Sequence, residues 1–321
     1  MRRSEVDGNG AARVRATMTP QQTLKSAIHC AGIGVHGNRK VRMELRPAPP
    51  GTGIVFCRTD QPAGTRRTIE AVYGNVVDAR LCTAIGNGRV SVRTIEHLMA
   101  AFAGCGIDNA VVELDGEEVP VMDGSAAPFV FLIECAGIVE QCAPRRTIEV
   151  LKPIMLGDED RYISVTPADT FSIRCDIDFD HPALGHQSIL FDPARTSFRA
   201  ELARARTFCR ESDVEGILAA GMGRGGSLEN TVVIGEDGPL NEEGLRYPDE
   251  CARHKTLDCF GDLYLAGAPI LGHVRCLRSG HGMNHALLSA LLDDPDAWRL
   301  AGAEQDTAFG EADPEPVAAI A

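Results

Sequence analysis

The chain has 321 residues, 44% hydrophobic and 24% charged, the composition of an ordinary globular protein with length for about two domains. Its formal net charge of −13 excludes the broad basic face of a nucleic-acid-binding protein, but leaves room for a local basic pocket holding a small anion. No run approaches the roughly 18 consecutive apolar residues that span a bilayer, and no apolar core follows Arg2, Arg3, Arg13 and Arg15, so a secretory signal is excluded and a cytoplasmic location expected.

Residues 1–18, polar with Gly8 and Gly10, read as a disordered leader. A first α+β domain is expected over 19–144. Val41, Met43 and Leu45 alternate with charged residues, the pattern of a half-buried strand. The segment NAVVEL (109–114) reads as a second strand, and SAAPFVFLIECAGI (125–138) as a buried helix. In QCAPRRTIEV (141–150) a proline and two arginines precede a new strand, which puts a domain boundary near 144. A second domain over 145–296 repeats the style. Ile173, Cys175, Ile177 and Phe179 alternate in a strand, and helices are expected over about 195–206, 211–220, 249–266 and 283–293. The acidic Glu304, Asp306, Glu311, Asp313 and Glu315, set among prolines, mark an acidic tail taken as 297–321. Two halves of similar size, each with strands then helices, suggest a duplicated α+β unit.

Several motifs are weak or missing. Gly221, Gly223 and Gly226 match G-x-G-x-x-G, but they follow the helix-like VEGILAA instead of a strand, so a dinucleotide site is not indicated. Neither a Walker phosphate loop nor a G-x-S-x-G nucleophile elbow occurs. The 11 cysteines are odd in number and lack C-x-x-C spacing, which argues against a disulfide framework and for mostly buried, reduced thiols.

Two segments carry the chemistry. In RTIEHLMAAFAG (93–104), Ile95, Leu98, Met99 and Phe102 form one apolar helical stripe. His97 lies roughly 160–200° away from it, outside the packed face. In DECARHKTLDCFGDLYLAG (249–267), His254, Asp258 and Asp262 recur every four residues and share about 80° of helical arc. An imidazole and a carboxylate at i, i+4 bind one ion by the geometry of the H-E-x-x-H helix. The plainer reading of both segments is a solvated polar face. If His97 joins His254 and Asp258, three protein ligands with an open fourth position describe a catalytic zinc site. Glu96, beside a ligand but pointing elsewhere, suits a general base. Asp262 suits a role behind the ligands, and His281, in the Gly-flanked loop SGHGMNH (279–285), suits a second proton carrier. Two histidines and a carboxylate also describe non-haem iron oxygenases, and a sugar-nucleotide or lipid-binding protein would leave such residues without chemistry. Glu96 favours hydrolysis.

Together these segments resemble the bacterial UDP-3-O-acyl-N-acetylglucosamine deacetylases of lipid A biosynthesis. The resemblance extends in order through QTLKSAIHCAGIGVHG (22–37), ELRPAPPGTGIVF (44–56), LCTAI (81–85), TIEHLMAAFAGCGIDNAVVEL (94–114), PVMDGSAAPFV (120–130), IDFDHP (177–182), ARTF (205–208), NEEGLRYPDECARHKTLDCFGDL (241–263) and SGHGMNHALL (279–288). It implies two α+β domains of related topology, each a mostly antiparallel sheet with helices, the helices sandwiched between the two sheets. It implies zinc, with Fe2+ as a substitute, on His97, His254 and Asp258, and Glu96 as general base. His281 would act as general acid or electrostatic support, oriented by Asp262, and Thr207 would hydrogen-bond the oxyanion. Lys255 and Phe179 match residues that hold pyrophosphate and uracil, and His36 one near the sugar and phosphates. An insert over about 208–233 would form an apolar passage for a fatty acyl chain, lined by residues such as Ile217 and Leu218. The implied reaction is hydrolysis of the N-acetyl group of the UDP-linked lipid sugar by a monomer, releasing acetate, with no nucleic-acid partner and no integral membrane span. In CRESDVEG (209–216) polar residues stand where more apolar ones often occur, so the resemblance leaves the chain-length preference open.

Overall fold

In the computed structural model, alternation produces the expected strand Lys40–Pro47, with Val41, Met43 and Leu45 turned into the core. The structure describes residues 19–302 except 63, 64 and 66. The expected leader and the acidic residues from 303 onward lie outside the described residues.

The first half is organised by a five-stranded sheet in the order Ile28–Ile33, Lys40–Pro47, Ala110–Leu114, Ile54–Arg58 and Thr68–Glu70. Successive pairings run antiparallel, antiparallel, parallel, antiparallel. The second half contains five strands with the same sequence of pairings: Ile154–Gly157, Tyr162–Thr166, Ile270–Leu277, Phe171–Asp178 and His186–Phe191. The two units therefore share one topology, as the similar halves of the sequence suggested. Thr147–Val150 and Trp298–Ala301 extend the second sheet. Residues 298–301 fall within the expected acidic tail, and the structure corrects that expectation. They form a strand because Trp298 packs against the core and its Nε1–H donates to the Leu292 carbonyl at 3.3 Å.

Six α-helices are present among the described residues: α1 (Glu96–Cys105), α2 (Ala127–Ala136), α3 (Phe198–Glu201), α4 (Glu211–Ala219), α5 (Glu250–Leu263) and α6 (His281–Leu292). α1 packs on α5, while α2, α5 and α6 face strands of the two sheets, so the helices form the filling of the sandwich. α1 follows Thr94, whose hydroxyl donates to Glu118, and ends at Gly106, whose φ of +71° supplies the left-handed cap that glycine adopts at least cost. The expected helix over 195–206 is a correction, because only Phe198–Glu201 is helical. Tertiary bonds redirect the chain there, with the Arg206 side chain and main-chain N–H both drawn onto Glu250. Within 125–138 the helix is α2, with Phe131 64% exposed, so that segment is not buried on every face. The cysteines also differ from expectation. All 11 are free, but only Cys82, Cys175, Cys251, Cys259 and Cys276 are buried.

Candidate active site

α1 and α5 meet where neither has bulk. A Cβ on Gly261 of α5 would lie 2.1 Å from the Glu96 carbonyl oxygen of α1, so glycine permits the close approach. That approach buries Glu96, His97, His254, Asp258 and Asp262 together. The reading of these groups as solvated faces is thereby overturned, and so is the placement of His97 outside the packed region: α1 has apolar neighbours on its stripe and α5 on its other side.

The His97 and His254 Nε2 atoms lie 3.6 and 3.2 Å from Asp258 Oδ1. One donor atom from each of the three side chains falls within 4.8 Å of the others. His254 Nδ1–H donates to the Ala205 carbonyl at 3.0 Å, which leaves the Nε2 lone pair aimed at Asp258. That carbonyl is fixed by its neighbour Arg206, which is fully buried and bonded through Nε to Glu250 Oε1 at 2.9 Å. Asp258 divides its oxygens. Oδ2 accepts from Lys255 Nζ at 2.8 Å, whereas Oδ1 is buried with no hydrogen-bond partner. An orphaned buried carboxylate oxygen facing two imidazole Nε2 atoms is costly alone and is satisfied by a cation. The donor set is compatible with a metal ion.

Electrostatics agree with the geometry. Burial pushes His254 down to about 3, more than Asp258 pulls it up, so its imidazole is neutral as a ligand must be. Burial opposes the Asp258 charge, but His254 and Lys255 outweigh it and hold the carboxyl well below its ordinary range. Burial raises Glu96, offset in part by His281 and His97. For His281, burial favours the neutral ring, yet Asp262, then Asp258 and Glu96, lift it to about 9.

Behind the donors lies a second polar cluster. Asp262 Oδ2 accepts from His281 Nδ1–H at 2.7 Å and from Asn284 Nδ2 at 2.8 Å. His281 Nε2 is 3.9 Å from Asp258 Oδ2, at the edge of the donor set. The Glu96 carboxylate accepts the Thr83 main-chain N–H at 3.0 Å.

The cleft in front of these groups has a volume of about 700 Å³. Glu96, His97, His254, Lys255, Asp258, His281, Thr207, His36, Ile217 and Leu218 all line it. Asp262 does not, standing fully buried behind His281. Phe179 does not either. Its ring packs edge-on against Phe208, 6.0 Å between centroids, and Phe208 is the aromatic that lines the cleft. Sequence reasoning missed Phe208, although it follows Thr207 directly. It also missed three arginines of the cleft lining, Arg80, Arg161 and Arg224, of which Arg80 is paired with Asp78. His36 comes from a loop of the first half whose carbonyls at Val35 and His36 accept the Gly225 and Arg224 N–H groups of the second. His36 Nδ1 accepts the Gly223 N–H at 3.2 Å. The glycine-rich segment thus joins the halves across the cleft. A Cβ on Gly225 would lie 2.3 Å from the Gly34 oxygen, which accounts for glycine there.

The sequence profile of the LpxC family, described as UDP-3-O-acyl N-acetylglycosamine deacetylase, matches residues 21–293. The chain belongs to this deacetylase family. A UDP-3-O-acyl-N-acetylglucosamine deacetylase of Acidithiobacillus ferrooxidans is 51% identical over 299 residues, covering 92% of this chain and 98% of the relative. The deacetylase of that name from Myxococcus xanthus is 46% identical over 92% of its own length and 91% of this chain. The one from Syntrophotalea carbinolica is 46% identical over 98% of its own length and 95% of this chain. The matched region of this family member runs from the first strands through α6 and contains the whole donor set.

Proposed function

We propose that this chain hydrolyses the N-acetyl amide of UDP-3-O-acyl-N-acetylglucosamine, releasing acetate and the free 2-amino sugar of lipid A biosynthesis, with zinc held by His97, His254 and Asp258. The observation that carries the metal assignment is the orphaned, buried Asp258 Oδ1 facing two imidazole Nε2 atoms. The substrate comes from the names of relatives that align over nearly the whole chain. A bound zinc ion would supply Lewis acidity, polarising a carbonyl oxygen and acidifying water.

Around it the chain's own groups divide the work. Glu96, its affinity for protons raised by burial, takes a proton from the attacking water. The His281 imidazolium, held by Asp262, faces the developing oxyanion and hands its proton to the departing amine. Thr207, at the cleft wall, donates its hydroxyl to that oxyanion. Lys255 and His36 bind the diphosphate side of the substrate, joined by Arg161 and Arg224, while Phe208, backed by Phe179, offers a face to the uracil. Ile217 and Leu218 of α4 contact the acyl chain. Fe2+ is an alternative occupant of the same donors. Two domains meeting near residue 144 frame the cleft, and one chain furnishes every group named, so a monomer suffices. A cytoplasmic location fits the 11 free thiols.

The test is deacetylation of the UDP-linked acylated sugar by the full chain, with and without a chelator, followed by zinc or iron add-back. Acetate release that stops on chelation and returns with metal supports the proposal. Turnover indifferent to chelation and to metal content would sink it.

A further inference from the structure

We propose that Thr83 is a positioning residue that holds the proton-accepting and proton-donating sides of the site in one geometry. The proposal rests on the assignment of Glu96 and His281 given above. Thr83 stands just before the short strand Ala84–Gly86 and is wholly buried. Its main-chain N–H donates to Glu96 Oε2 at 3.0 Å. Its hydroxyl lies 2.5 Å from Asp262 Oδ1 and 2.8 Å from His285 Nε2. One residue from the first half therefore touches the base in α1, the carboxylate in α5 and a histidine in α6.

The single hydroxyl proton decides the directions. A carboxylate only accepts, so Thr83 Oγ1–H donates to Asp262 Oδ1. The hydroxyl oxygen then accepts from His285 Nε2–H. His285 thereby carries a proton on Nε2, and its Nδ1 is buried with no partner. With Oδ1 secured, Asp262 turns Oδ2 toward His281 Nδ1 and Asn284. Without the hydroxyl, Oδ1 loses its short donor and keeps only His285 Nε2 at 3.6 Å. The carboxylate is then free to rotate toward that imidazole, taking Oδ2 away from His281. No substrate group is involved, so the effect falls on the chemical step and not on binding.

Thr83→Val keeps the shape and the main-chain N–H but removes the hydroxyl, and Thr83→Ser keeps the hydroxyl without the methyl. With zinc-loaded full-length proteins, Thr83→Val is expected to retain stoichiometric metal and an unchanged KM, while kcat falls roughly 10–100-fold, the range for groups that orient active residues. Thr83→Ser is expected to recover most of that loss. Equal kcat for Thr83→Val and the parent, or a Ser variant as slow as the Val variant, overturns the proposal. If Thr83→Val fails to hold metal, Thr83→Ala decides, since it also removes the hydroxyl from Asp262 Oδ1 but places no branched methyl beside the carboxylate. A lower kcat at constant KM supports the proposal, and an unchanged kcat overturns it. A parent without metal-dependent deacetylation would instead sink the functional reading. Even then the downfield His281 Nδ1–H resonance reports the positioning alone: retained in Thr83→Ser and shifted or lost in Thr83→Val if the proposal holds, identical in all three proteins if it does not.

Discussion

Residues in left-handed backbone conformations gather near the functional groups. Thr94 has φ of +59° two residues before Glu96, Arg278 has +49° three before His281, and Asn38 has +51° two after His36. Side chains adopt such φ at a cost, and such positions cluster where a site demands a particular direction of the chain. The groups they aim give separable predictions. His97→Ala and Asp258→Ala should emerge from purification without stoichiometric metal, measured by elemental analysis. Glu96→Gln should keep its metal and lose turnover by roughly 10²–10⁴-fold. In metal-free protein, His281 should titrate at about 9, well above its ordinary 6.5. A raised folded-state value means stability, on the order of 3 kcal/mol, present below pH 6.5 and lost as pH rises through about 9. Histidine NMR across that window reads the titration, and added zinc should lower it, because a nearby dication disfavours imidazolium. The donors were legible in the sequence because His254 and Asp258 are one helical turn apart. Thr83 was not, because it holds Glu96 through a main-chain N–H that no residue pattern reveals. Phe208 and the three arginines escaped for a related reason, since only the folded chain brings them to the lining of one cleft.

At the scale of elements, periodicity located α5 closely. The expected 249–266 became Glu250–Leu263 followed by the 3₁₀ turn Tyr264–Ala266. It misjudged the surroundings of α1, because a stripe of apolar residues marks one packed face and cannot say that a second helix covers the opposite one. The α1–α5 contact depends on Gly261. Gly261→Ala should force the helices apart, destabilising the protein by about 1–3 kcal/mol and weakening metal binding, as thermal melts with and without zinc will register. If melting and metal affinity match the parent, the contact tolerates the methyl and the argument from proximity fails. The segment 195–206 shows the opposite error. Its residues favour a helix, but the buried pair of Arg206 with Glu250 overrides that preference. Arg206→Ala would leave the buried Glu250 carboxylate with main-chain N–H donors but no countercharge, with an expected loss of about 3–5 kcal/mol visible in denaturant titration.

For the whole molecule, the sequence suggested a repeated unit through the similar order of its elements. The shared pairing scheme emerged only in three dimensions, because partners such as Ile54 and Ala110, or Phe171 and Gly272, are far apart along the chain. The donor set is divided unevenly between the two units: α1 of the first contributes His97, and α5 of the second contributes His254 and Asp258. A cation held by all three therefore belongs to neither half alone. Its binding free energy becomes cohesion between them, and stability should climb with the logarithm of free metal, reaching about 4 kcal/mol at a thousandfold excess over Kd. Hydrogen exchange should consequently slow in α1 and α5 together when zinc is added, the ion acting as a clasp whose grip is set by the metal supply of its surroundings.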